Sequence, residues 1–222
     1  MLKPQRKITR KEIKRDPFLE TIDKIEYNFE QNKKTYLNIA LGLIAVIISG
    51  NFLLNKQSQK DIDSNSALGI ALVAFDNEDY ENAKFQFETI LSDFSGTNSS
   101  NIANYYLGKI SFENNGLIKA ESYLNEYLNN SEPDILIPGT IKILSNIALK
   151  NNEFDKAIKL LDRGLRLGLD NNISNEFKLL KVSILIEQDK VEIAQNILNE
   201  ILLEKKLPIH LKQRSEELIG MM

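Results

Sequence analysis

The chain has 222 residues, with 28 Lys/Arg against 31 Asp/Glu, a single histidine and no cysteine. That inventory excludes disulfides, Cys-based metal sites and any centre built on two imidazoles. With no G-x-S-x-G, Walker A or G-x-G-x-x-G string in the chain, the sequence predicts no enzyme, no metal, no cofactor and no small-molecule substrate.

Residues 1–34 form a basic tail with ten Lys/Arg against six Asp/Glu. Within it Phe18, Ile22, Ile25 and Phe29 recur at helical spacing and predict a short amphipathic helix. Such a helix could lie on a membrane surface or pair with another protein's helix, and a solvated tail that merely enforces topology is the third reading.

Residues 35–55 carry no charge and are bracketed by Lys33 and Lys34 before and Lys56 after. A bilayer core about 30 Å thick takes roughly 20 helical residues, so the length fits one span. The buried helix of a soluble domain would show an amphipathic stripe. A cleaved signal peptide would have a short basic leader and a small-x-small cleavage site; here 34 residues precede the stretch and "SGNFLLNKQ" follows it. The stretch therefore reads as a transmembrane signal anchor, and the basic tail predicts a cytoplasmic N-terminus. The part beyond, 56–222, holds 18 Lys/Arg against 25 Asp/Glu. Its acidic balance argues against nucleic acid as a partner, since phosphate recognition needs clustered cations.

After a linker at 56–64, the chain repeats. "YENAKFQFETIL", "LIKAESYLNEYL", "FDKAIKLLDRGL" and "VEIAQNILNEIL" place Ala83, Ala120, Ala157 and Ala194 at equal intervals of 37 residues. Phe87, Leu124, Leu161 and Leu198 keep the same interval, as do Leu91, Leu128, Leu165 and Leu202, and upstream Phe75, Phe112, Leu149 and Ile186. Each alanine belongs to a helical stripe, a second helical pattern precedes it, and "DNED", "ENNG", "KNNE" and "EQDK" separate the two. Four helix hairpins result over 65–207, closed by a C-terminal capping helix at 208–222. A hairpin cannot cover its own apolar face, so the fold class is all-α: an N-terminal transmembrane helix followed by an α-solenoid.

Small residues at Ala71, Gly108 and Ser145, preceded by Ile70, Leu107 and Leu144 and followed twelve residues on by Ala83, Ala120 and Ala157, resemble the tetratricopeptide repeat consensus. "YYLGKISFENNGLIKAESYLNEYL" is the best copy. The period of 37 rather than 34 implies longer links between repeats, and the fourth repeat has Lys181 and Val182 where the pair is expected. The resemblance implies a concave face built by the first helices. Its outward positions would be Asn65, Leu68, Leu72, Tyr105, Lys109, Lys142, Asn146, Leu179 and Ser183, and simple packing is the alternative for each leucine. Lys142 and Asn146 also echo part of a carboxylate-binding pattern, with Tyr105 and Lys109 at the corresponding places one repeat earlier.

As a whole, the tail with its "FEQNKK" segment, the single span, the repeats and the closing "LPIHLKQRSEELIGMM" resemble the ancillary SecYEG translocon subunit family. That resemblance implies a bacterial inner-membrane protein with a periplasmic repeat domain. Its implied partners are proteins or peptides, namely translocon subunits and periplasmic chaperones. A membrane-tethered scaffold of another envelope complex, in cell division or secretion, is the alternative.

The span and tail together generate a topology prediction. A periplasm-active reporter fused after Met222 should be active and a cytoplasm-active one silent; the opposite pattern, or a mature N-terminus near Asn51, would refute the anchor.

Overall fold

A computed structural model describes residues 17–131 and 135–222, and the tail cations from Lys3 to Arg15 lie outside the described residues. Among the described residues there are ten α-helices and no strand. The chain divides into two units, one ending at Ser58 and the other running from Gln59 to Met222.

In the first unit, α1 (Pro17–Gln31) opens on a proline, whose fixed φ suits a first helical position. The expected stripe is present and exposed at Phe18, Ile22, Ile25 and Phe29, and the Phe29 ring stacks on Tyr36 with centroids 5.5 Å apart. α2 (Lys33–Asp76) begins here, and its apolar window is long and apolar enough, by length and composition, to cross a membrane. None of that window is buried within the protein. Residues 56–64, expected as a linker, are helical and continuous with α2.

The second unit pairs the end of α2 with α3 (Tyr80–Asp93), α4 (Asn98–Glu113) with α5 (Leu117–Asn130), α6 (Ile137–Lys150) with α7 (Phe154–Leu165), and α8 (Asn171–Glu187) with α9 (Val191–Leu202), before α10 (Ile209–Ile219). The interval of 37 is structural. Ala83, Ala120, Ala157 and Ala194 are fully buried, and so are Phe87, Leu124, Leu161 and Leu198. At Gly108 a Cβ would stand 2.5 Å from Leu124 Cγ and 3.4 Å from the Ala120 carbonyl oxygen, so the α4/α5 crossing admits nothing larger than glycine. The period predicts a further packed position at Leu91, Leu128, Leu165 and Leu202, yet only Leu128 is fully buried. The deeper position lies one residue earlier, at Ile90, Tyr127, Gly164 and Ile201. One residue is a 100° turn of the helix, and it brings this position toward the next repeat. Gly164 shows why volume matters there: a Cβ would collide with the Phe177 ring of α8.

All four hairpins turn alike. Glu78, Asn115, Asn152 and Asp189 have φ near +60°, again 37 residues apart. In each turn the left-handed residue's N–H donates three residues back (Glu78 to Phe75, Asn115 to Phe112, Asn152 to Leu149, Asp189 to Ile186), and the next N–H donates five residues back (Asp79 to Ala74, Gly116 to Ser111, Glu153 to Ala148, Lys190 to Leu185). This is the Schellman arrangement, which satisfies the last carbonyls of the first helix and reverses the chain within three residues. Links between hairpins are capped differently, Thr97 Oγ1 accepting from the Ser100 N–H and Asp170 Oδ1 from the Asn172 N–H.

A left-handed conformation costs an ordinary side chain roughly 1–2 kcal/mol, and asparagine tolerates it best. Glu78→Gly should therefore raise the unfolding free energy of the 59–222 unit by about 0.5–1 kcal/mol, and Asn115→Gly by less than half that. Urea unfolding checks both; equal shifts would mean that the turns are not strained at Glu78.

Candidate functional site

Four of the nine sequence-predicted positions meet in one groove. Lys142 and Asn146 from α6, Leu179 and Ser183 from α8, and His210 and Arg214 from α10 line a cavity of about 320 Å3. Each helix contributes its pair at i and i+4, one turn apart on one face. Glu176, Leu180 and Leu211 complete it. Leu179 and Leu211 are buried and form an apolar floor; the polar side chains form the rim.

Each of the two rim cations has a carboxylate partner. Lys142 forms an ion pair with Glu176 that ties α6 to α8, both side chains about one-third exposed. Arg214 Nη1 donates to Glu217 Oε2 at 2.9 Å on the exposed surface of α10, an i, i+3 pair of the kind that contributes little to stability. His210 is exposed. The arrangement can hold an apolar side chain on the leucines, and a negative group at the edge would compete with Glu176 and Glu217 for Lys142 and Arg214.

The other five predicted positions are engaged within the solenoid. Asn65 Oδ1 accepts from Ser99 Oγ at 2.6 Å, joining the first repeat to the second. Leu68 is buried and Leu72 half-buried in the first core cluster. Tyr105 packs edge-on to Tyr106 and against Tyr127, and its hydroxyl sits where a Cβ on Gly139 would be 2.9 Å away. Burial, then the neighbouring Tyr106 and Glu113, raises the Tyr105 phenol above its ordinary pKa, so it stays neutral. Lys109 Nζ lies 5.0 Å from the centre of the Phe75 ring, a cation–π contact within the array.

Sequence reasoning missed Glu176, Leu180, Leu211 and the binding geometry of His210 and Arg214. α10 stands outside the 37-residue register, so the period cannot align it with α6 and α8. The i, i+4 spacing of His210 and Arg214, matching Lys142/Asn146 and Leu179/Ser183, was the available signal.

With these hairpins and this groove, the protein is a helical-repeat interaction module. It belongs to the family described as tetratricopeptide repeat-like domain, whose model matches residues 28–205. No curated protein matches the chain.

The groove's two components should separate in stability measurements. Glu176→Gln, which opens a partly exposed ion pair, should lower the unfolding free energy by under about 1 kcal/mol. Leu179→Ala should lower it by about 2–4 kcal/mol. Chemical denaturation of the 59–222 unit measures both, and a larger loss from Glu176→Gln would make the ion pair a structural element rather than a rim group.

Proposed function

We propose that the protein is a membrane-anchored protein-interaction module, an ancillary subunit of the protein-export translocon that links the channel to periplasmic chaperones. In this reading α2 crosses the bacterial inner membrane once, the N-terminus is cytoplasmic, and the repeats work in the periplasm. The observation that supports the anchored module is the extent of the family match: residues 28–205 take in the uncharged stretch 35–55 as well as the repeats, and the translocon and chaperones come from the resemblance of the whole chain. The division of labour follows. An anchor fixes location, and a solenoid supplies surface. The groove between α6, α8 and α10 is the chaperone-facing site, because an apolar floor with Lys142 and Arg214 at its edge suits a peptide segment that pairs an apolar side chain with a carboxylate able to displace Glu176 or Glu217.

Two weak contacts on one anchored chain reinforce each other through effective concentration, so neither has to be tight alone. Photo-crosslinkers placed within residues 33–60 should yield channel subunits. The charge-inverting pair Lys142→Glu and Arg214→Glu should abolish chaperone capture and leave the channel crosslinks in place. If the channel is never crosslinked and division or secretion components are captured instead, the protein is a tethered scaffold of that assembly.

A further inference from the structure

The solenoid ends differently at its two edges. At the C-terminal edge α10 lays Leu211, Ser215 and Leu218 against α8 and α9, and all three are buried. At the N-terminal edge the first helix of the first repeat carries the same packing positions, and among the described residues of the 59–222 unit no helix covers them. Ile70 is 60% exposed, whereas its register equivalents Leu107 and Leu144 are 1% and 3% exposed. Val73 is 61% exposed, against 3%, 1% and 2% for Ile110, Ile147 and Ile184. Ser66 is exposed, whereas Ala103, Thr140 and Phe177 at its register positions are fully buried. In the later repeats these positions are covered by the second helix of the preceding hairpin, since α3 packs on α4, α5 on α6 and α7 on α8.

From this register we infer that the face made by Ile62, Ser66, Gly69, Ile70 and Val73 is a second docking site, which takes an amphipathic α-helix of a partner protein with basic residues flanking its apolar stripe. Three features fix that occupant. The covered counterparts all receive an α-helix, so the surface has the ridges and grooves for one. Ser66 and Gly69 leave room for large side chains, Gly69 having no neighbouring atom within 4 Å of where a Cβ would stand. The charge then selects the flanks: residues 61–81 contain Asp61, Asp63, Asp76, Glu78, Asp79 and Glu81 and no Lys or Arg. A second copy docking here would set acid against acid, which disfavours it.

The site is separate from the groove and does not depend on how that groove is used. The probe is a fluorescent fifteen-residue helical peptide with leucines at positions 1, 4, 8 and 11 and lysines at their flanks, added to the full-length chain in detergent micelles. It should bind at least tenfold more tightly than its scrambled isomer, which keeps charge and composition, and than a version with glutamates in place of the lysines. The double variant Ile70→Ser/Val73→Ser changes only exposed side chains and should weaken binding at least tenfold, while Ile193→Ser, a similarly exposed apolar position on α9, leaves it unchanged. Equal binding of patterned and scrambled peptides, or no effect of the serine pair, overturns the inference. Because the chain has no native cysteine, Val73→Cys serves as a clean reporter of rival occupants. Rapid disulfide crosslinking between two copies of the Val73→Cys variant in dilute vesicles would assign the face to a second copy, and maleimide protection in pure lipid at low protein density would assign it to the bilayer. Either result overturns the proposal; free maleimide labelling that the patterned peptide suppresses supports it.

Discussion

The close approach of two helices at each hairpin crossing is the contact on which everything else depends. Ala83, Ala120, Ala157 and Ala194 are fully buried there, and in the second hairpin Gly108 faces Leu124 with no room for a methyl group. Where backbones come this near, each large side chain from the other helix is enclosed on all sides. Burying a Phe or Leu in that way stabilises by roughly 1.5–3 kcal/mol, so a crossing that opens by even one methylene forfeits contacts from both helices. The Schellman turns serve the crossing. Their left-handed residue reverses the chain fast enough to bring the second helix back at once, and the strain at Glu78 and Asp189 is held in place by the packing it permits.

Stacking then follows nearest-neighbour rules. Each repeat offers one apolar face forward and one back, and the contact between repeats is tuned by volume rather than by identity. Thus Gly164 yields space to Phe177, while Ile90 and Tyr127 at its register positions accompany the smaller Ala103 and Thr140. Polar pairs decorate this stack and do not drive it. Lys142–Glu176, Lys156–Glu121 and Lys181–Asp162 bridge neighbouring elements from partly exposed positions, where solvent screening leaves them modest in energy. The hydrogen bonds that Lys156 Nζ donates to Glu121 and Glu153 raise its pKa, so it remains charged throughout the neutral range.

An array of this kind has surface wherever stacking stops or curves. The groove lies between α6, α8 and α10, where the capping helix adds His210 and Arg214 to residues of the last two hairpins. The same cap that ends the stack thereby supplies one of the groove's two cations, Arg214. Such a groove offers an apolar floor with charged edges.

What the sequence determined by itself was the period and the hairpins that it builds. Equal spacing of small and large residues is a local property of helices, so the hairpins, their four turns and the alanine crossings were legible from Ala83 to Ala194. The uncharged stretch at 35–55 was legible on the same terms, as length and composition. Only the tertiary structure decided how far helix rotation carries each side chain into the next repeat, because that depends on volumes across an interface: hence burial at Ile90 and Tyr127 rather than at the predicted Leu91, with Leu128 buried as well. It also decided which predicted site residues converge. Tyr105, Lys109 and Asn65 are drawn into contacts within the array, while Lys142, Asn146, Leu179 and Ser183 meet α10, whose approach no periodic pattern encodes, since it is set by packing against α8 and α9.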